Sequence, residues 1–262
     1  MQRAWRFGMG VALLGVGLLF LHSDNLSSTR LQHSRMQHLP RVTVWAWERR
    51  EDLRGIDPAT TAVAWLDRSV VLDKESLTVE PRRQPLLLPA STALVRIPVV
   101  RIETRNSPEL SDASAQAAAQ AILRASGPQM AALQIDFDAR RSEREWYREV
   151  LLDVRNALPA DIPLSITALA SWCSYDNEWL HTLPVDEAVP MIFRMEPDRR
   201  SAAALDRLGS PELAIREPLC SSSVGISTHE RWPVQLAGKR IYIFPDAGWH
   251  HDNVKETVRQ LW

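Results

Sequence analysis

The hydrophobic positions of this chain form eight short runs that begin after residue 40. Most runs carry Val, Ile or Leu on both alternating sets of positions, which is typical of strands that are covered on each face. The predicted strands are Val42–Trp47, Thr61–Leu66, Ala93–Ile102, Ala131–Asp138, Pro163–Leu169, Ala188–Arg194, Val224–Ser227 and Arg240–Phe244.

Segments with a helical pattern separate many of these runs. The predicted helices are Asp112–Ser126, Ser142–Leu158, Asp198–Leu208 and Asn253–Trp262. The second and fourth begin with residues in capping-box spacing, and a Gly-Pro pair follows the first. This alternation of strands and helices predicts an α/β fold, a single (β/α)8 TIM-type barrel.

One interval of the chain departs from this alternation. Glu75–Ser91, between the second and third strands, contains three prolines, at positions 81, 85 and 89, and no helical period. Proline is disfavoured inside helices and central strands, so we expect an irregular barrel here, with a hairpin or a loop excursion. The barrel domain is expected to occupy residues 40–262, without a second domain.

The fourth strand carries two carboxylates on one face. In Leu133–Ala139 (LQIDFDA), Asp136 and Asp138 share a face with Gln134, opposite the apolar residues of the segment. Two carboxylates about 7 Å apart would be costly in an ordinary core. They suit the mouth of a barrel, where polar groups surround a ligand. The segment therefore predicts a functional site.

These aspartates allow two interpretations. In the functional one, Asp138 lies nearest the mouth and orients a substrate group or a water, while Asp136 shifts its pKa through like-charge coupling. In the structural one, both are ion-paired to barrel arginines such as Arg101 or Arg194 and close the interior.

Acids, arginines and tryptophans recur where the predicted strands end. Indole faces stack on sugar rings, and charged groups hydrogen-bond sugar hydroxyls, so this lining suits a carbohydrate. The candidate catalytic residues are Asp136, Asp138, Glu48, Glu103 and Glu196. The candidate substrate-binding residues are Trp45, Trp47, Trp65, Trp172, Arg194 and Trp249. Each tryptophan has packing as its alternative, and we expect about half of them to be core residues.

The N-terminal segment predicts export. Arg3 and Arg6 precede an uncharged apolar run, Phe7–Leu21, that is short for a membrane span and suits a signal peptide. No clear cleavage site follows, so a cleaved signal at residues 1–22 and an uncleaved inner-membrane anchor stay open. Residues 23–39 are expected to be a polar linker. The predicted location is the periplasm or cell envelope.

Cys173 and Cys220 are the cysteines of the chain. In an exported protein they predict one disulfide, with two buried free thiols as the alternative. The net charge of −1, with interspersed signs, argues against nucleic acid as a partner. Nucleotide-binding, nucleophile-elbow and zinc-protease motifs are absent, and we expect no cofactor and no metal. A metal held by Asp136, Asp138 and a histidine is the alternative.

Three segments resemble domain-of-unknown-function family 3142. They are Leu133–Ala139 (LQIDFDA), Leu164–Cys173 (LSITALASWC) and Val185–Met195 (VDEAVPMIFRM). The resemblance covers roughly residues 40–245. It implies an exported bacterial protein with a glycosidase-like barrel, and it supplies no activity.

A more distant likeness is to the chitinase-like barrels of glycoside hydrolase family 18. The fourth strand there carries Asp-x-Asp-x-Glu, whose glutamate protonates the leaving oxygen. Asp136 and Asp138 match the aspartates, but Arg140 occupies the glutamate's place. Arginine does not donate that proton at working pH. If hydrolysis occurs, the acid must come from another strand, and Glu48, Glu103 and Glu196 are the candidates by position.

Two function hypotheses follow. The first is an exported, glycoside hydrolase-like barrel that acts on an envelope or extracellular polysaccharide. The second, motivated by Arg140, is a non-catalytic glycan-binding or envelope-assembly protein on a degenerate hydrolase barrel. Carboxylates that face each other across an open cleft favour the first, and fully salt-bridged aspartates favour the second.

Overall fold

The computed structural model describes residues 35–125, 127, 129–193, 215–230 and 236–261. Eight parallel strands form a closed ring. The ring closes because the strand Val42–Ala46 pairs in parallel with both Thr61–Asp73 and Arg240–Phe244. The predicted (β/α)8 barrel is therefore confirmed. The predicted signal segment and the helix Asp198–Leu208 lie outside the described residues.

Each of the eight predicted runs overlaps one strand of the ring. These strands are β1 (Val42–Ala46), β3 (Thr61–Asp73), β6 (Arg96–Arg105), β7 (Leu133–Asp136), β8 (Leu164–Leu169), β9 (Glu187–Met191), β10 (Ser223–Ser227) and β11 (Arg240–Phe244). The described α-helices are α1 (Asp112–Leu123), α2 (Arg144–Ala157) and α3 (His251–Arg259). All three lie where a helix was predicted, with ends shifted by a few residues.

The proline-rich interval forms the predicted excursion. β3 extends beyond the ring and turns at Lys74, whose φ is 54°, into the antiparallel strand β4 (Ser76–Pro81). A short strand, β5 (Leu86–Leu87), then pairs in parallel with β2 (Glu51–Asp52), which follows the first ring strand. The excursion is therefore attached to the loop that leaves β1.

The two faces of β7 have the predicted orientations. Leu133, Ile135 and Phe137 pack outward against α1 and α2. Gln134 points inward, where it accepts a hydrogen bond from Trp45 Nε1 at 2.7 Å and donates to a serine of β8. A polar strand face is stable inside the barrel because neighbouring strands supply its hydrogen-bond partners.

The N-terminal end of the barrel is closed by residues 35–39. Met36 and Leu39 are buried against the inner side chains of the ring. Arg240 Nη2 donates to the Met36 carbonyl at 2.7 Å, and Arg35 pairs with Asp186 at 2.7 Å. This part of the expected linker thus packs as part of the barrel.

Cys173 and Cys220 form the predicted disulfide, with an S–S distance of 2.05 Å. It joins the loop after β8 to the 3-10 turn before β10. A disulfide is typical of an extracellular or periplasmic protein. Within the described ranges, no helix combines the length and apolar character needed to cross a bilayer.

Candidate active site

Asp136 lies inside the barrel near the C-terminal ends of the strands. It is level with Arg101 on the neighbouring strand β6, and its Oδ2 accepts a hydrogen bond from Arg101 Nη1 at 2.9 Å. Its Oδ1 accepts from Thr167 Oγ1 of β8 at 2.7 Å. Both oxygens are thus bound by side chains of the adjoining strands, which fixes the orientation of this buried carboxylate.

Arg101 connects this carboxylate to the other groups of the mouth. Its guanidinium also contacts Glu103 at 3.2 Å and lies 5.5 Å from the centre of the Trp47 ring. Trp47 is half-buried and rests on the buried indole of Trp45, with 4.3 Å between ring centroids. The mouth therefore presents an indole, a guanidinium and carboxylates side by side, the combination expected of a sugar site.

Asp138 differs from Asp136 in its surroundings. Its side chain is exposed, and no described residue hydrogen-bonds or ion-pairs with it. Nearby protein still removes part of its hydration, and this desolvation, together with the charge of Asp136, raises the pKa of Asp138 although Arg101 opposes the shift. Among the described residues, Asp136 has the arginine partner that the structural interpretation requires, and Asp138 has none.

Tyr147 approaches the same pair of carboxylates from behind the strand. It is fully buried on α2, and its ring meets Phe137 edge to face at 5.1 Å. Its hydroxyl has no hydrogen-bond partner among the described residues. Burial and the charges of Asp136 and Asp138 raise the pKa of this phenol well above its ordinary value, so it stays neutral.

The candidate glutamates are not equivalent. Glu48 is exposed, and one of its oxygens accepts the backbone N–H groups of Arg83 and Gln84 at 2.9 and 2.8 Å, so it attaches the excursion to the β1 loop. Glu103 is partly buried, which alone would raise its pKa, but Arg105 and Arg101 lower the pKa below its ordinary value. A carboxyl held ionised is a poor proton donor. Glu196 lies outside the described residues.

Trp45 and Trp249 do not present an indole face at the mouth, contrary to expectation. Trp45 has no exposed surface inside the barrel and is stacked with Phe244 at 5.1 Å. Trp249 is 1% exposed, and its Nε1 donates to the Trp45 carbonyl at 2.8 Å. Their polar atoms are satisfied within the protein, which makes both indoles packing residues.

Trp65 and Trp172 also lie outside the mouth. Trp65 belongs to the outward-facing set of β3 and packs in the layer between the ring and α3. Trp172 is 2% exposed and meets Trp179 edge to face at 4.8 Å. Trp47 is thus the candidate tryptophan that the structure brings to the aspartates, and the candidate Arg194 lies outside the described residues.

Arg140, at the place of the family-18 glutamate, is an exposed residue of the loop after β7. Its side chain is 72% exposed, and its backbone N–H donates to Glu143 Oε2 at 2.7 Å. Glu143 is buried and also accepts from Thr104 at 2.8 Å. This glutamate fixes the loop between β7 and α2, and both of its oxygens are occupied.

Thr167 and Glu51 are polar residues of this end that the sequence interpretation missed. Thr167 was detectable in principle, because its place on β8 puts it beside Asp136 once the strands are in register. Glu51 has a side chain with no exposed surface, with its closest cation, Arg82, at 3.6 Å. Burial raises the pKa of Glu51 to about 7, against the lowering effect of Arg82. Across the described ranges, no three His, Cys, Asp or Glu side chains form a metal-binding group.

Comparison with known proteins agrees with the family resemblance. Residues 93–198 match the family described as Domain of unknown function (DUF3142), and this range includes the three resembling segments. The chain is similar to the solved spore cortex-lytic enzyme SleL of Bacillus cereus, with 16% sequence identity and a TM-score of 0.42. That alignment covers 71% of this chain and 51% of SleL, so the chain spans about half of its length. No curated protein is significantly similar in sequence.

Proposed function

We propose that this barrel is an exported glycoside hydrolase-like enzyme that cleaves an envelope or extracellular polysaccharide at its C-terminal mouth. The observation that carries the proposal is the different environment of Asp136, at the end of β7, and Asp138, two residues beyond it. Asp136 is bound by Arg101 and Thr167, whereas Asp138 is exposed and has a raised pKa. The two carboxyl groups of a glycosidase active site typically have different pKa values, because their surroundings differ.

Asp138, rather than a glutamate from another strand as the sequence predicted, is the proton donor in this proposal, because its pKa is raised whereas that of Glu103 is lowered. It protonates the glycosidic oxygen as the bond from that oxygen to the anomeric carbon breaks. The resulting Asp138 carboxylate then takes a proton from the water that adds to the anomeric carbon, which restores the starting state. Asp136, two residues earlier at the end of β7, contributes negative charge that favours the cationic sugar ring. Trp47 and Arg101 offer contacts for the ring and its hydroxyls.

The test compares binding and turnover on purified peptidoglycan sacculi and a panel of exopolysaccharides. We expect Asp138→Asn to reduce turnover by about 100-fold or more while binding changes little. The asparagine side chain has nearly the same shape as aspartate but no acidic proton to donate to the glycosidic oxygen. Wild-type turnover should fall as pH rises through the raised pKa of Asp138, since only the protonated acid is active. Asp161→Asn, an exposed aspartate at the opposite end, is the matched control.

The alternative is a non-catalytic glycan-binding or envelope-assembly protein. It is favoured by the ion pair of Asp136 with Arg101 and by the exposed Arg140 at the donor position of family 18. Binding without turnover in the wild type would establish this alternative. Turnover that is unchanged in Asp138→Asn would instead remove the role assigned to Asp138.

A further inference from the structure

The N-terminal end of the barrel, opposite the mouth, carries an excess of positive side chains. We call Arg41, Arg96, Arg124 and Lys239 the basic end face. Arg41, Arg96 and Lys239 lie at the starts of ring strands, whereas Arg124 lies at the C-terminal end of α1. Helix ends and strand starts share one end of such a barrel, because each helix runs back antiparallel to the strands.

The acidic groups at this end are fewer and partly hidden. Asp186 and Glu187 have fully buried side chains. Asp186 is paired with Arg35 at 2.7 Å and with the largely buried Arg155 at 3.6 Å, and Glu187 is paired with Arg240 at 2.5 Å. Asp57 and Asp161 remain exposed there. By contrast, Arg96 donates to a glutamine amide and Lys239 to a backbone carbonyl. These bonds to neutral acceptors leave the positive charge of the two side chains uncancelled.

The chain enters the barrel at this same end. Residues 35–39 plug it, and Arg35 anchors the segment by donating to the Ala160 carbonyl at 2.7 Å. The sequence before it holds the apolar run Phe7–Leu21 and then residues 22–34. The covalent geometry of the backbone limits the reach of those intervening residues to about 45 Å. An apolar leader in a bilayer would hold this end near the lipid headgroups.

We propose that the basic end face docks on an anionic lipid headgroup surface and directs the mouth away from the membrane. The proposal rests on the apolar leader acting as the anchor, and it does not depend on the proposed hydrolysis. The charge complementarity is local, because the whole chain has a net charge of −1. Anionic lipids attract basic residues only within about a Debye length, so the tether and the charges act together.

The experiment uses the full chain in vesicles of phosphatidylglycerol and phosphatidylcholine, and in vesicles of phosphatidylcholine alone. Backbone hydrogen exchange is measured in the loops at the N-terminal end, around residues 129–132, 159–163 and 237–240, and in the mouth loops 47–50 and 82–85. We expect exchange at the N-terminal end to be roughly fivefold slower or more on the anionic vesicles. The mouth loops should exchange equally on both.

The test variant is Arg96→Glu combined with Lys239→Glu, and Arg50→Glu combined with Arg83→Glu is the control at the mouth end, where both arginines are exposed. The double variant at the basic end face should lose the protection on anionic vesicles, and the control double variant at the mouth should keep it. If the first fails to fold, Arg96→Gln with Lys239→Gln replaces it and should reduce the protection. Equal exchange on both vesicle types, protection of the mouth, or a chain that does not float with the vesicles would overturn the proposal. None of these readouts involves turnover, so loss of hydrolysis leaves them unaffected.

Discussion

Neighbouring side chains of the same type acquire different properties in this barrel because burial and partners differ at each position. Asp136 and Asp138 are two residues apart, yet one is bound on both oxygens and the other faces solvent. Glu48 and Glu51 differ in the same way. Glu48 accepts two backbone N–H groups at the surface, whereas neither oxygen of the buried Glu51 has a hydrogen-bond partner in the described structure.

Glu51 gives the clearest prediction at this scale. Its pKa is about 7 in the folded protein, against 4.5 ordinarily, so folding favours the protonated form. The contribution of this proton to the free energy of unfolding is fully present below about pH 4.5 and is lost as pH rises through 7. The loss amounts to roughly 3 kcal/mol. Glu51→Gln should remove this dependence and be more stable than the wild type at pH 8.

Urea unfolding at pH 5 and pH 8, for both proteins, measures the effect. The wild type should lose more stability than Glu51→Gln over this interval, and Glu178→Gln, an exposed control, should follow the wild type. Parallel pH profiles for the wild type and Glu51→Gln would show that Arg82 and Arg49, the cations near the carboxyl, keep it ionised.

Elements pack closely where the loop after β2 meets the start of α3. A Cβ added to Gly55 would lie 2.1 Å from the His251 carbonyl oxygen, a backbone atom of the helix. Because backbone cannot move aside as a flexible side chain can, only glycine fits there. This contact joins the β1 loop region to the last helix, across the point where the ring closes.

Gly55→Ala should therefore destabilise the protein by about 2 kcal/mol or more, as overpacking against fixed groups does. Gly127→Ala is the matched control, because its added Cβ meets nothing within 4 Å. Thermal unfolding followed by circular dichroism compares them. A melting temperature for Gly55→Ala equal to that of the control would contradict this account of the packing.

Element positions were readable from the sequence, but side-chain directions were less so. The runs of Val, Ile and Leu located every ring strand, and the prolines of Glu75–Ser91 located the excursion. Trp65 was misplaced because β3 is apolar on both faces, so its alternation does not show which face is inside. The burial of Glu51 depends on the pairing of β2 with β5, two-residue strands far apart in sequence. Neither strand has a pattern long enough to detect.

The whole molecule is a closed barrel whose two ends have different chemistry. One end carries the aspartates, Trp47 and Arg101, and the other is plugged by residues 35–39 and surrounded by the basic end face. Between these ends, Gln134 hydrogen-bonds Trp45 and Ser165 inside the barrel and so connects β7 with β1 and β8. The sequence predicted an inward acidic strand correctly, because alternation on β7 is unambiguous. It overestimated the number of indoles at the mouth, since long-range packing buries most of them.

The most direct measurement is a crystal structure of Asp138→Asn with an oligosaccharide that the wild type cleaves. The account predicts that the sugar lies at the C-terminal mouth, with one ring against Trp47. The glycosidic oxygen should be within about 2.6–3.2 Å of the side chain at position 138. A sugar bound at the plugged end or outside the ring, with no contact to position 138, would contradict the account.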